Sequence, residues 1–249
     1  MINAIVDGLE GSFIFDTGAD GVIIHSKHNQ KSTHLLQTLA GEVTATKSSI
    51  SLLELGNYHF KNLVTSKSDL TQLSQHVSGR LLGIIGARLF SSEILYIDNI
   101  RKVIELAPRD FTPRADTRYF KSKMKLVNDI WLIPIRLGQS TYDFILDTGS
   151  TASFISEEVI NLQNKLFSKL ENRIDIITAS KSIISSEIYT TSEAFLGPIS
   201  VQELQFASSD FSDFHDLIPL NFGGILSLDQ LPFSSIIIDF QSKNILFGI

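Results

Sequence analysis

The chain repeats itself, and the repeat constrains its fold more than any single motif does. Residues 2–26 read INAIVDGLEGSFIFDTGADGVIIHS and residues 133–156 read IPIRLGQSTYDFILDTGSTASFIS. Each gives an apolar strand, a glycine-containing turn, a second apolar strand, Asp-Thr-Gly, and a short apolar run closed by serine. The two aspartates, Asp16 and Asp147, stand 131 positions apart (147 less 16), which is the length of one small domain. Further on, GIIGARLFSSEILYIDNIRKVIEL at 83–106 returns as GILSLDQLPFSSIIIDFQSKNILF at 224–247. Here Asp98 matches Asp239, Lys102 matches Lys243 and Ile104 matches Ile245, all at an offset of 141. Leu55-Gly56 and Leu196-Gly197 keep that offset, so the second copy carries about ten extra residues (141 less 131) soon after its Asp-Thr-Gly.

Those extra residues read as a helix. Val159, Leu162, Leu166 and Leu170 fall at spacings of three and four, the pattern of one buried helical face. Ser156 is placed to cap it, and Glu157 and Glu158 suit the positive end of the helix dipole. The matching stretch of the first copy, Lys27 to Thr33, lacks this periodicity and reads as loop. Most other segments are short and apolar with turn residues between them, such as Ser51–Leu55, His59–Thr65, Ile94–Ile97, Val103–Leu106, Ile236–Phe240 and Ile245–Phe247. This predicts a mainly β protein of closed or folded barrels with few short helices. The division predicted is a first lobe over 1–107, a linker over 108–125 and a second lobe over 126–249. The linker has two prolines and a basic excess, including Arg109, Arg114, Arg118, Lys121, Lys123 and Lys125, and reads as a solvated connector.

Composition removes several classes of function. There is no cysteine, which excludes disulfides, thiolate metal sites and cysteine nucleophiles. A net charge of −6 gives no general electrostatic reason for nucleic-acid or anionic-membrane binding. No apolar run approaches the roughly 18 residues of a membrane span. The N-terminus shows no secretion signal, so the compartment stays open between cytoplasmic and exported after loss of an upstream segment. His25, His28 and His34 lie close in sequence without a metal-binding spacing and read as surface histidines, while His59, His76 and His215 are isolated. Trp131 reads as a core residue, and Asp98 and Asp239 as hairpin-turn residues. Gly223-Gly224 is not followed by the Lys-Ser/Thr of a phosphate loop.

The chemistry left is that of the paired Asp-Thr-Gly loops. Phe13-Ile14-Phe15 and Phe144-Ile145-Leu146 root each loop in a core, Gly18 and Gly149 permit a tight turn, and Thr17 and Thr148 offer hydroxyls to the neighbouring backbone. One such loop is a turn; two on duplicated lobes can bring two carboxyl groups together. Like charges at close range do not both ionise easily, so the pair would share a proton. One aspartate would then activate a water as general base, and the other would protonate or polarise an amide as general acid. Neither metal nor organic cofactor is needed for this. The residue after Asp-Thr-Gly is Ala19 in one loop and Ser150 in the other. A Ser150 hydroxyl donating to the outer oxygen of Asp147 would make Asp147 the more acidic partner, leaving the proton more often on Asp16.

In these motifs the sequence resembles the aspartic peptidases, and within them the retropepsin-like proteins of bacterial type, fused in tandem. DTGADGVI at 16–23 and GIIGARLF at 83–90 carry the resemblance most strongly. It implies a bilobal pepsin/retropepsin-like acid protease fold with a peptide groove between lobes. Asp16 and Asp147 would be the dyad, with Thr17 and Thr148 supplying interlocking hydroxyls and Gly18 and Gly149 the turns. Ile84-Ile85-Gly86 would pack beneath the first loop, and hairpin flaps would fall near Leu39–Ser48 and Thr178–Ile188, with Tyr189 close by. The partner implied is a peptide or protein substrate, and the assembly a monomer with pseudo-twofold symmetry. Three departures stand out: Ser227 replaces the glycine that Gly86 leads one to expect, the chain is short and cysteine-free beside pepsins, and the terminal strands that join retropepsin subunits are not identifiable. Two rival readings remain: a non-catalytic peptide-binding module of the same fold, and lobes that pair with copies from another chain.

Overall fold

The computed structural model describes residues 1–19, 21–27, 33–38, 41–177, 183–201, 203–212 and 219–249. The chain divides into two compact units, Met1–Leu89 with Asp175–Ser185, and Phe90–Ile174 with Ser186–Ile249. In the first lie β1 (Ile2–Val6), β2 (Leu9–Asp16), β3 (Val22–His25), β4 (Thr33–Thr38), β5 (Gly41–Leu55), β6 (Tyr58–Ser68), a helical turn α1 (Thr71–Ser74) and β7 (Leu81–Gly86). They are hydrogen-bonded in the order β1-β2-β7-β3-β6-β5-β4, and β5 also reaches β1 through Ile5–Glu54 and Val6–Leu53. Six strands therefore close a barrel, with β4 flanking it. The 15-residue β5 is long enough to serve as wall and as hairpin arm at once. Asp7 and Gly8, both at positive φ, make the two-residue turn between β1 and β2 that matches the twist of the strands.

The second unit follows with β8 (Ile94–Asp98), β9 (Val103–Ala107), β10 (Tyr119–Lys123), β11 (Lys125–Val127), β12 (Ile130–Leu137), β13 (Ser140–Asp147), β14 (Phe154–Ser156) and helix α2 (Glu157–Leu162). Then come, in chain order, β15 (Ser168–Ile177) and β16 (Ile183–Thr191), of which Asp175–Ile177 and Ile183–Ser185 belong to the first unit, and β17 (Ala194–Leu196), β18 (Ile199–Val201), β19 (Leu204–Ser209), β20 (Phe222–Ser227), β21 (Ser235–Asp239) and β22 (Asn244–Gly248). The first unit's pairings recur here residue for residue. β2 runs parallel to β7 with Phe13 opposite Gly83 and Asp16 opposite Gly86; β13 runs parallel to β20 with Phe144 opposite Gly224 and Asp147 opposite Ser227. Each pair has an irregularity at the same place, Ser12/Phe13 and Asp143/Phe144. One difference is that the second copy breaks the long β5–β6 hairpin at its middle into β16, β17, β18 and β19. The short β17 still meets β12 through Arg136–Phe195 and Leu137–Ala194, the rungs equivalent to those of β5 on β1.

A five-stranded sheet in the order β10-β22-β21-β8-β9 joins strands of both repeats. Across β8 and β21, Ile94 faces Asp239, Tyr96 faces Ile237 and Asp98 faces Ser235. Because each residue's counterpart lies 141 positions on, Tyr96 faces its own counterpart and the flanking pairs exchange roles. The duplication is thus written into this sheet as a local twofold axis. Leu95, Ile236, Ile238, Ile245 and Phe247 fill its core, and Trp131, as predicted, is buried with its ring 5.1 Å from that of Phe240.

Two sequence expectations change. The stretch read as a solvated connector contains β10, which pairs with β22 from Tyr119–Gly248 to Lys123–Asn244. Ser122 and Met124 are buried while Lys121 and Lys123 face solvent, a period-two pattern that the density of charge conceals. From the same stretch, the Lys125 ammonium bonds both oxygens of Asp143 at 2.9 Å, and Asp143 is only 2% exposed. Helix α2 starts as predicted, with the Ser156 hydroxyl accepting from the Glu158 amide, but it closes at Gln163. Leu170 lies in strand β15, and of the four residues of the apolar stripe only Val159 is buried. The chain leaves the helix for β15, whose pairing with β16 overrides the weak periodicity.

The turn after β8 gives a test of buried charge. Asp98, 3% exposed, accepts the amides of Ile100 and Arg101 at 3.0 and 2.8 Å and the Arg101 guanidinium at 2.7 Å. The Arg101 amide first, and its guanidinium next, hold the Asp98 carboxyl below the ordinary range against the opposing effect of burial. At the equivalent Asp239, burial works to raise the pKa, but bonds from Ser242 and the Arg109 guanidinium outweigh it. A carboxylate lowered in the folded state stabilises fully above its unfolded pKa of about 3.9, and that contribution fades as pH falls through the folded value. Asp98→Asn keeps an acceptor but no charge, so it should cost roughly 2 kcal/mol at neutral pH. In urea titrations at pH 7 and pH 3, the gap from wild type should shrink at pH 3. An equal gap at both would exclude a role for the charge.

Candidate active site

Both Asp-Thr-Gly loops sit at the same place in their units, at the end of a strand rooted in the core and beside a fully buried one. In β2, Phe13 and Phe15 point into the core, and β13 is buried from Asp143 to Leu146. β7 and β20 are buried along their whole length because each is paired on both sides, parallel to one neighbour and antiparallel to the other. In the first loop the amides of Gly18 and Ala19 donate to Asp16 Oδ1 at 2.8 and 3.1 Å. In the second, the amides of Gly149 and Ser150 donate to Asp147 Oδ1 at 2.6 and 3.0 Å. One oxygen of each carboxyl is therefore held by two backbone donors, which fixes the direction of the group. Asp16 and Asp147 are half-buried; Thr17 is buried and Thr148 half-buried.

The structure places Asp16, Thr17 and Gly18 together in the first unit and Asp147, Thr148, Gly149 and Ser150 together in the second. It corrects one expectation. The Ser150 hydroxyl does not donate to Asp147 but to the Ala152 carbonyl at 2.7 Å, closing a turn within the loop, while the Ser150 amide serves the aspartate. Its counterpart Ala19 instead packs against the apolar cluster of Leu70, Leu81 and Ile84, to which Leu73 and Val77 from α1 and its continuation also belong.

The surroundings of the loops hold residues that inspection of the motifs passes over. Ser153 and Ser227 are both fully buried behind the second loop. The Ser227 amide donates to Ser153 Oγ at 3.1 Å, and the Ser227 hydroxyl donates to the Ser150 carbonyl and accepts from the Asp229 amide at 3.3 Å. Ser227 stood out as the residue in place of Gly86; Ser153 carried a quieter signal, a serine where the first repeat has Val22. His25 Nδ1 accepts the Leu70 amide at 3.0 Å and His34 Nε2 lies 3.2 Å from the Ser66 hydroxyl, so both take part in the local structure. His28 and His215 lie outside the described residues. Among the described residues no three potential metal ligands cluster, and no helix is long and apolar enough to cross a membrane. The first predicted flap falls on the hairpin of β4 and β5, and the second on that of β15 and β16. Their tips, 39–40 and 178–182, lie outside the described residues.

Residues 133–229, which contain the second loop and its supporting strands, match the family model described as aspartyl protease. Over its whole length the chain matches a solved structure, the aspartic proteinase from Irpex lacteus, with a TM-score of 0.55 and 14% identity. That match covers 99% of this chain and 92% of the other. No curated protein matches the sequence. The family match lies within the second repeat, and the fold of the chain is mainly β and similar to that of an aspartic proteinase.

Proposed function

We propose that the protein is an aspartic endopeptidase in which Asp16 and Asp147 act as one catalytic pair. The observation that carries this reading is the identity of the two loops: the same motif, the same strand register and the same pair of amides on Oδ1 of each aspartate. A functionless turn has no need of that detail twice.

On this reading the two carboxyls share one proton. The ionised partner removes a proton from water as it attacks the scissile carbonyl, and the protonated partner donates to the carbonyl oxygen. The proton then reaches the leaving amine as the tetrahedral intermediate collapses. The amides on Oδ1 orient each carboxyl without taking part in transfer. The substrate would be an extended peptide, recognised through backbone hydrogen bonds with alternate side chains in pockets.

The test is cleavage of a diverse peptide library from acidic to neutral pH by wild type and by the two single Asp→Asn variants. Turnover lost in each variant supports the pair. Peptide binding without turnover at any pH would move the protein to the binding-module class. Because both aspartates belong to one chain, specific activity should not fall on dilution through the micromolar range; a fall would favour pairing between chains.

A further inference from the structure

In the first unit two backbone bonds tie the loop to the strand beneath and the turn after it. Gly86 N donates to the Gly21 carbonyl at 2.9 Å and Ala87 N to the Ala19 carbonyl at 3.3 Å. At the equivalent places the second unit uses hydroxyls. Ser227 N donates to Ser153 Oγ, and Ser227 Oγ donates to the carbonyl of Ser150, the counterpart of Ala19. Ser150 is therefore held on both sides of its Cα, its carbonyl (in the peptide to Thr151) by Ser227 and its amide (in the peptide from Gly149) by Asp147 Oδ1. Ser227 also lies opposite Asp147 in the parallel pairing of β13 and β20 and caps the 3-10 turn Leu228–Gln230 through the Asp229 amide. One buried hydroxyl thus connects the strand below, the turn after it and the loop above.

We infer that Ser227, supported by Ser153, is a positioning residue for Asp147, a hydroxyl clamp that replaces the glycine-based attachment used under Asp16. Both hydroxyls are wholly buried and all their partners lie in the second unit. Without the Ser227 hydroxyl the Ser150 carbonyl loses its donor, the Ser150–Thr151 peptide is free to turn, and residue 150, no longer anchored on that side, holds its amide less firmly toward Asp147. The clamp acts on one aspartate only, so its loss should leave the first loop as it was. The catalytic part of this inference rests on the peptidase reading; the structural part does not.

The test measures amide hydrogen exchange in wild type and Ser227→Ala at Gly149 and Ser150, with Gly18 and Ala19 as the internal control. Exchange at Gly149 and Ser150 should quicken about tenfold or more, with the first loop unchanged, as local opening without global unfolding requires. In a peptidase assay, kcat should fall roughly tenfold with KM within about twofold, as displacement of a reacting group predicts. Equal acceleration in both loops, or none in either, would overturn the clamp. If Ser227→Ala does not fold, Ser153→Ala probes the same link from its other side with the same expected pattern. A wild type without turnover sinks the peptidase reading, while the exchange comparison still decides the clamp. Exchange that changes as expected with kcat unaltered would overturn the positioning role.

Discussion

Asp147→Asn and Asp16→Asn should each lower kcat/KM on peptide substrates by about 1000-fold or more while leaving the protein folded. The size follows from what is removed. General acid–base transfer by a placed side chain contributes roughly 100- to 10,000-fold, and asparagine neither takes nor gives a proton at working pH. The fold should survive because the amide oxygen of asparagine can still accept from Gly149 and Ser150, or from Gly18 and Ala19, as Oδ1 does now. A stability change below about 1 kcal/mol in urea titration is expected for either variant. The two effects should not multiply, because residues that act as one unit are lost together at the first substitution. A double variant much slower than either single one would mean two independent contributions and not a shared-proton pair. Loss of activity with a large drop in stability would say only that the aspartates hold the loops.

Much of the fold could be read from the chain because the repeat supplies its own alignment. Placing DTGADGVI over DTGSTASF fixes which strands correspond, and the registers of β2 on β7 and β13 on β20 agree with that placement at every rung. The turn role of Asp98 and Asp239 was legible for the same reason. What could not be read was chemistry that depends on where the folded backbone brings a partner. Lys125 looked like one more solvated charge until β11 and β12 brought it to the buried Asp143. Ser150 seemed free to serve Asp147, but a turn two residues long gives its hydroxyl a nearer acceptor in Ala152. The helix over Val159–Leu170 failed from the opposite cause: a local period of three and four was real, yet β15 claimed the second half. Short segments obey tertiary demand before local propensity.

The glycines beneath the loops should be the least replaceable residues in the chain. Gly83 and Gly224 occupy the same rung of the repeat, opposite Phe13 and Phe144. A Cβ on Gly83 would overlap the Ile23 carbonyl oxygen and stand 2.8 Å from a ring carbon of Phe13. On Gly224 it would overlap the Phe154 carbonyl oxygen, and there the backbone also has φ of +150°, which side chains rarely adopt. The colliding atoms belong to paired backbone, so they yield only if β3 leaves β7 or β14 leaves β20. Overpacking of this kind costs about 1–3 kcal/mol, and backbone strain adds about 1–3 more at Gly224. Gly224→Ala should therefore lose roughly 3–5 kcal/mol, enough to leave many domains unfolded at working temperature. Gly8→Ala is the control: φ is +83° but no atom lies within 4 Å, so about 1 kcal/mol is expected. Denaturant titrations of the three variants decide the matter. If Gly224→Ala proves no worse than Gly8→Ala, β20 can move away from β14 at little cost. The strand that positions Asp147 would then be a yielding support, and the precise seating of that carboxyl would have to come from the loop itself.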